Sequence, residues 1–141
     1  DIIINIQGDE PFINPNQINE LVDLFENENI EIGTLAKKIN SNKLLNNPNN
    51  PKAIFDKNRN AINFCRKIES PKKNTVYYKH IGIYGFRKSI LTKLCALKQT
   101  KNEKKERLEQ LRWLDNNYKI KVGITSYESQ SIDTPQDIEK I

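Results

Sequence analysis

Methionine is missing altogether from the 141 residues, cysteine occurs only twice, and no apolar run approaches the roughly 20 residues of a membrane span. Each scarcity removes a class of protein. Cys65 and Cys95 lie far apart in sequence and match neither a metal-ligand pair nor a redox motif. Both lie among apolar residues, so they are expected as buried free thiols, the state that cysteine keeps in a reducing cytosol. No spanning segment and no signal peptide precede the first strand, which places the expected protein in the cytoplasm with no membrane partner. Internal repeats are absent too. The chain opens on Asp1-Ile2-Ile3-Ile4-Asn5-Ile6, a strand already under way without an initiator Met, and a fragment of a longer protein is expected.

Charge is plentiful but mixed in sign. A net charge of +5 and a pI near 9.1 suit an anionic partner such as a nucleotide or a sugar acid. The one dense basic cluster, Lys101 to Arg107, is interrupted by Glu103 and Glu106 and reads as a solvated helix face. Without an interleaved aromatic and basic strip, no nucleic-acid partner is expected. The apolar 36% falls in clean blocks, and the length suits one domain with one core.

Ile2 to Ile6 is a short, β-branched, nearly continuous apolar run, the pattern of an interior strand of a parallel sheet covered on both faces. After Gly8, Asn14 is placed to cap a helix with Pro15 at its first position and with Ile18, Leu21, Val22 and Phe25 on one face. Ile30 to Ile39 reads as a second strand, and Ser41 to Pro51 as a loop or short helical turn. Two apolar runs, Ala53 to Phe55 and Ala61 to Phe64, flank a polar turn and predict an antiparallel hairpin, with Asn taking the left-handed backbone angles. Lys67 to Thr75 is a polar excursion placed to cover a site. Val76 to Phe86 is strand-like and carries the single histidine, His80. A helix bears Ile90, Leu91, Leu94 and Leu97; a longer one, starting near Lys101, bears Leu108, Leu111 and Leu114. Ile120, Val122 and Ile124 alternate as a late strand, and Thr134-Pro135 starts a last helix with Asp133 at its mouth. Crossover helices around a central hairpin give a three-layer α/β fold with a mixed sheet.

In open α/β sheets ligands bind at the carboxyl ends of strands, which draws attention to the loop Gln7-Gly8-Asp9-Glu10-Pro11. Gly8 would let backbone approach a ligand, and Asp9 offers a hard oxygen of the kind Mg²⁺ prefers; an ordinary turn accounts for the same composition. Read singly, Asp133 is equally a neighbour of a helix cap, and His80 a structural histidine. Trp113 and its leucines read as core or subunit-contact residues.

Several ordered blocks go further. Gln7-Gly8-Asp9-Glu10-Pro11, Asn47-Pro48-Asn49 with Lys52, Asn63-Phe64-Cys65-Arg66, His80-Ile81-Gly82-Ile83-Tyr84-Gly85-Phe86-Arg87, Leu108-Glu109-Gln110-Leu111-Arg112 and Ile132-Asp133-Thr134-Pro135 together resemble the 3-deoxy-manno-octulosonate (Kdo) cytidylyltransferases, from the first residue to the last. The resemblance implies a nucleotide-diphospho-sugar-transferase-like, Rossmann-like fold with a mixed sheet and an inserted antiparallel hairpin. It implies that residues 1–141 form a single catalytic domain lacking its N-terminal nucleotide-binding segment, so that the isolated chain would be inactive. It implies transfer of CMP from CTP to Kdo for lipopolysaccharide synthesis, in a homodimer, with Mg²⁺ held by Asp9 and Asp133 as the catalytic aspartates. Another sugar acid, or an inactive fragment that only binds sugar acid or metal, is the alternative. Gln7, Gly8, Arg66, His80, Gly82, Tyr84, Arg87, Glu109 and Gln110 are then the candidate substrate-binding residues. Among them, Tyr84 would give an apolar wall with a polar tip and Gly82 would leave room for the sugar ring. Glu109 and Gln110 are adjacent on a helix and project about 100° apart, so both need not face the site. Cys65 and Phe86 stand where the family pattern has hydroxyl side chains, and Asn58-Arg59-Asn60 where it has a glycine turn.

Overall fold

In the computed structural model, which describes residues 1–132 and 135–139 with only the backbone of Gln136, the apolar alternation resolves into six strands. They are β1 (Ile2–Ile6), β2 (Ile32–Lys38), β3 (Lys52–Phe55), β4 (Ala61–Cys65), β5 (Tyr78–Arg87) and β6 (Ile120–Thr125). The helices are α1 (Pro15–Asp23), prolonged by a 3₁₀ turn over Leu24–Glu26, then α2 (Asn42–Asn46), α3 (Lys88–Cys95), α4 (Lys101–Glu106), α5 (Gln110–Asp115) and α6 (Pro135–Ile138). None is long and apolar enough to cross a membrane among the described residues.

One mixed sheet has the order β4-β3-β5-β2-β6, with β1 also on β5; only β2 and β6 run parallel. The ten-residue β5 is the spine. One of its edges follows β2 along most of its length. The other is divided, with β3 pairing at Tyr78 and Lys79 and β1 pairing from Ile83 to Arg87. Between these two ladders the backbone–backbone bonds among the described residues are single ones, from the His80 amide to the Pro51 carbonyl (2.8 Å) and from the Gln7 amide to the Gly82 carbonyl (3.0 Å). The sheet therefore opens at His80 to Gly82, where β1 and β3 part.

The layers follow from alternation along β5. Ile81 and Ile83 face α1 and its 3₁₀ extension, joining Leu21, Phe25 and Leu35. Tyr84 and Phe86 face the other way, against Trp113, whose ring meets both edge-on at 5.1 and 5.3 Å. Gly85 lets the 3₁₀ turn lie flat on the sheet, since a Cβ there would come within 2.5 Å of the Phe25 ring. Helix α1 starts as its sequence predicts: the Asn14 side chain accepts from the Asn16 amide (2.9 Å), Pro15 is first, and Gln17 closes a capping box on the Asn14 amide (3.0 Å).

Four expectations are corrected. The first strand is not an interior strand of a parallel sheet: β1 is antiparallel to β5, half-buried at Ile2 to Ile4 and exposed at Asn5 and Ile6. The single longer helix after Lys101 is two, because Arg107 takes left-handed angles (φ 55°) and ends α4. In the hairpin the left-handed residue is Arg59 (φ 62°) rather than an Asn, and the Asp56 carboxylate holds the turn by accepting from the Asn58 and Asn60 amides. Cys65 is half-buried and Cys95 exposed, since the buried face of α3 carries Ile90 and Leu94, and Cys95 lies one step of about 100° past it.

Candidate active site

The opening in the sheet is the mouth of a cleft of ≈ 260 Å³. Eight of the expected residues line it: Gln7, Asp9, Arg66, His80, Gly82, Tyr84, Glu109 and Gln110. The spacing of two along β5 sends His80, Gly82 and Tyr84 to the same face, and the break at Arg107 turns Glu109 and Gln110 toward it. Both of that pair reach the cleft, although their directions on an unbroken helix gave no reason to expect it.

The floor is polar and buried. Glu10 is buried and its Oε1 accepts from the Gly82 amide (3.3 Å); burial pushes its carboxyl above the usual range, and the Gly82 amide offsets only part of that. A Cβ at Gly82 would lie 2.9 Å from Gln7 Oε1 and 3.1 Å from Glu10 Cγ, so the missing side chain accommodates these two neighbours. Gly8 is neither left-handed nor crowded, a Cβ on it would meet open space, and it is outside the cleft lining.

His80 is buried between Phe64 and Tyr84, with ring centroids at 5.1 and 5.3 Å. Burial, helped by the Lys79 charge, holds its pKa down to about 3, so the imidazole is neutral wherever the protein is folded near neutral pH. Burial, then the charges of Glu109 and Asp9, pushes the Tyr84 phenol well above its usual range, leaving a protonated hydroxyl.

Arg66 lines the cleft, but its guanidinium is engaged with backbone carbonyls. Nε donates to Glu106 (2.7 Å), and the two terminal nitrogens donate to Pro48 (3.1 Å) and Arg107 (3.2 Å). The fully buried Lys52 completes the same junction through the carbonyls of Asn47 (2.7 Å) and Arg66 (2.8 Å). Burial lowers the Lys52 pKa. These two cations tie the Asn-Pro-Asn loop, the end of β4 and the end of α4 into one wall.

Arg87 is not among the residues that line this cleft. It is odd-numbered on β5 and so points to the face opposite Tyr84, about 10 Å farther along the strand. There it donates to the carbonyls of Ile30 (3.1 Å) and Phe25 (2.8 Å), with its guanidinium over the Phe25 ring. Phe86, which stands where the family pattern has a hydroxyl side chain, packs in the core against Trp113 and Tyr84, so its missing hydroxyl is no loss to the cleft lining.

Four polar atoms of lining residues are buried without a hydrogen-bond partner among the described residues: Asp9 Oδ1, Glu10 Oε2, Tyr84 Oη and Gln110 Nε2. Such atoms are rare in folded proteins, and four around one cleft form a set of acceptors and donors suited to a polar ligand. The Ile132 amide donates to the Asp9 carbonyl (2.8 Å), which joins the loop after β1 to the segment that leads to Asp133. Asp133 itself lies outside the described residues, and among those residues no group of three or more His, Cys, Asp or Glu is arranged to hold a metal.

Glu10, Asn49, Pro51, Lys79, Arg107, Leu108 and Ser131 also line the cleft and were not singled out as site residues from sequence. Glu10 and Asn49 carried a usable signal, since each stands inside a motif block; for Lys79, the position before His80 was the only hint.

The family model for cytidylyltransferases matches residues 1–120. A 3-deoxy-manno-octulosonate cytidylyltransferase of Bacteroides thetaiotaomicron is 46% identical across 99% of this chain and 60% of its own length. An 8-amino-3,8-dideoxy-manno-octulosonate cytidylyltransferase of Shewanella halifaxensis is 40% identical across 98% of this chain and 58% of its own. A solved CMP:2-keto-3-deoxy-manno-octonic acid synthetase in complex with CTP superposes with a TM-score of 0.88 at 30% identity, covering 99% of this chain and 59% of that one. The chain thus spans 58–60% of the length of these proteins. Its mixed sheet has the architecture of that synthetase, and the match of the family model over most of its length shows that the chain belongs to the cytidylyltransferase family.

Proposed function

We propose that this cytidylyltransferase joins CMP from CTP to 3-deoxy-D-manno-octulosonate and releases pyrophosphate. The observation that carries the reading is the cleft with four unpartnered buried polar atoms, built from the motif blocks shared with the Kdo enzymes. A sugar acid presents hydroxyls and a carboxylate. Gln110 Nε2 and the Tyr84 hydroxyl would donate to it, Glu10 Oε2 would accept from a hydroxyl, and Lys79 would supply positive charge at the rim. The reaction is attack of the anomeric hydroxyl on the α-phosphorus, and it needs no side-chain nucleophile. The work of the chain is to fix the sugar in line and exclude water.

Asp9 fits a hard cation, because its Oδ1 is buried at the rim of the cleft and lacks a partner among the described residues. Asp9 and Asp133 would hold Mg²⁺, which when bound supplies neutralisation of phosphate charge. The same reading makes the protein a cytoplasmic homodimer. The test is pyrophosphate release from CTP, Mg²⁺ and Kdo. In a version extended to the full length of the relatives, Asp9→Asn and Asp133→Asn should each lower turnover about 100-fold or more; near-normal turnover would refute their role. The present chain alone should bind the sugar acid without turning over. The Shewanella relative supports a second reading, an aminated sugar acid as acceptor, and the ratio of pyrophosphate release with the two acids decides between them.

A further inference from the structure

Thr34 is fully buried in the middle of β2, directly behind His80. Its Oγ lies 2.8 Å from His80 Nε2 and 2.7 Å from the Ile83 carbonyl. The carbonyl is within reach because the β2–β5 ladder shifts register between Thr34 and Leu35, whose partners are Tyr84 and Ile81, leaving Gly82 and Ile83 with no residue opposite on β2. A hydroxyl owns one proton. Two oxygens 2.7 Å apart need that proton between them, so Thr34 donates to Ile83 and has only lone pairs left for the imidazole. The proton in the second contact then belongs to His80 Nε2.

We infer that Thr34 is a positioning residue: it holds His80 in the Nε2–H tautomer and so presents Nδ1 to the cleft as a hydrogen-bond acceptor for a substrate hydroxyl. Nδ1 makes no hydrogen bond among the described residues, and His80 lines the cleft. The Phe64 and Tyr84 rings pack against the imidazole and hinder the flip that would exchange its two nitrogens. A neutral ring is required for this role, which agrees with the strongly lowered His80 pKa. The identity of the hydroxyl donor as a sugar acid rests on the function proposed above; the tautomer does not.

His80 is the only histidine of the chain, so its imidazole nitrogens can be assigned in ¹⁵N NMR spectra of the protein without ambiguity. The expected wild-type spectrum has a protonated Nε2 and an unprotonated Nδ1. Thr34→Val keeps the shape, removes the acceptor and should move the ring toward a mixture or toward Nδ1–H; Thr34→Ser keeps the hydroxyl and should keep the tautomer. Titration with Kdo should show affinity about tenfold weaker for Thr34→Val, the effect of one lost hydrogen bond, and within about twofold of wild type for Thr34→Ser. A protonated Nδ1 in the wild type overturns the inference, as does Thr34→Val with unchanged tautomer and affinity. Should Thr34→Val fail to fold, the wild-type spectrum still decides the tautomer. A tautomer that follows the Thr34 hydroxyl while no sugar acid binds any variant supports the lock and overturns the substrate assignment instead.

Discussion

Glu10 shows at the scale of one residue how the cleft is kept ready at the expense of stability. Its folded carboxyl titrates above 4.5 because burial penalises the charged form, so over that window the native state binds more protons than the unfolded chain. Stability tied to this group therefore falls as pH rises from 4.5 through the folded value, and the penalty is complete above it. Glu10→Gln keeps an acceptor for the Gly82 amide and removes the charge. The variant should be more stable than wild type by about 1 kcal/mol at pH 7, with the difference shrinking toward pH 4 in urea titrations. The same variant should bind Kdo less well, since Oε2 becomes a donor where a hydroxyl needs an acceptor. The motif block held Glu10 beside Asp9, but the burial and the orphaned oxygen that set Glu10 apart are properties of the fold. The motif block named His80, Gly82 and Tyr84, and alternation along β5 brings all three to the cleft lining. Arg87 shares that motif block, but the parity of the strand sends it to the other face, outside the cleft lining. Thr34 carried no signal, since a threonine in a strand is ordinary until its hydroxyl is seen between a carbonyl and an imidazole.

Among the elements, the pair α4 and α5 shows why breaks are harder to read than periods. Leu108, Leu111 and Leu114 continue a helical spacing past Lys101, yet Arg107 reverses its backbone and the chain restarts as α5. Arginine has no preference for left-handed angles, so composition gave no warning. The junction is held instead by an ion pair that spans it: Arg112 grips the buried Glu103, its Nε donating to Oε2 at 2.8 Å and a terminal nitrogen to Oε1 at 2.5 Å. Hydrogen bonds from Arg112 hold the Glu103 carboxyl below its ordinary value, the reverse of Glu10. The stabilisation is fully present above pH 4.5 and is lost as pH falls through the lowered folded pKa. Glu103→Gln should lower stability by about 2 kcal/mol at pH 7 and by progressively less in acid, as read from urea midpoints at several pH values. Because this pair orients the segment bearing Glu109 and Gln110, the variant should also weaken Kdo binding. An unchanged midpoint at pH 7 would assign the junction to apolar packing alone. The hairpin, by contrast, was legible from its two apolar runs, and helix α1 from Asn14-Pro15, because each is specified by residues close together in the chain.

At the scale of the whole molecule, the sheet separates two tasks between its faces. One carries the cleft, the His80 and Tyr84 rings and the Trp113 core; the other is covered by α1 and its 3₁₀ extension. That second layer approaches closely because glycines of β2, β5 and β6 lie beneath it, and Gly85 is the tightest, since a Cβ there would lie 2.5 Å from Phe25 Cε2 and 2.9 Å from Cζ. Gly85→Ala therefore cannot be absorbed by a flexible side-chain end; the Phe25 ring must move, and the helical layer with it. Overpacking of this kind costs about 1–3 kcal/mol, measurable as a lower urea midpoint, and Phe25→Leu in the same chain should recover part of it by removing ring atoms at the contact. Kdo affinity of the folded Gly85→Ala variant should stay near that of wild type, since Gly85 faces away from His80 and Tyr84. A variant with full stability would mean that the layers are looser than their geometry shows. A stable variant that no longer binds would mean instead that strain crosses the sheet, and the division of labour between its faces would fail.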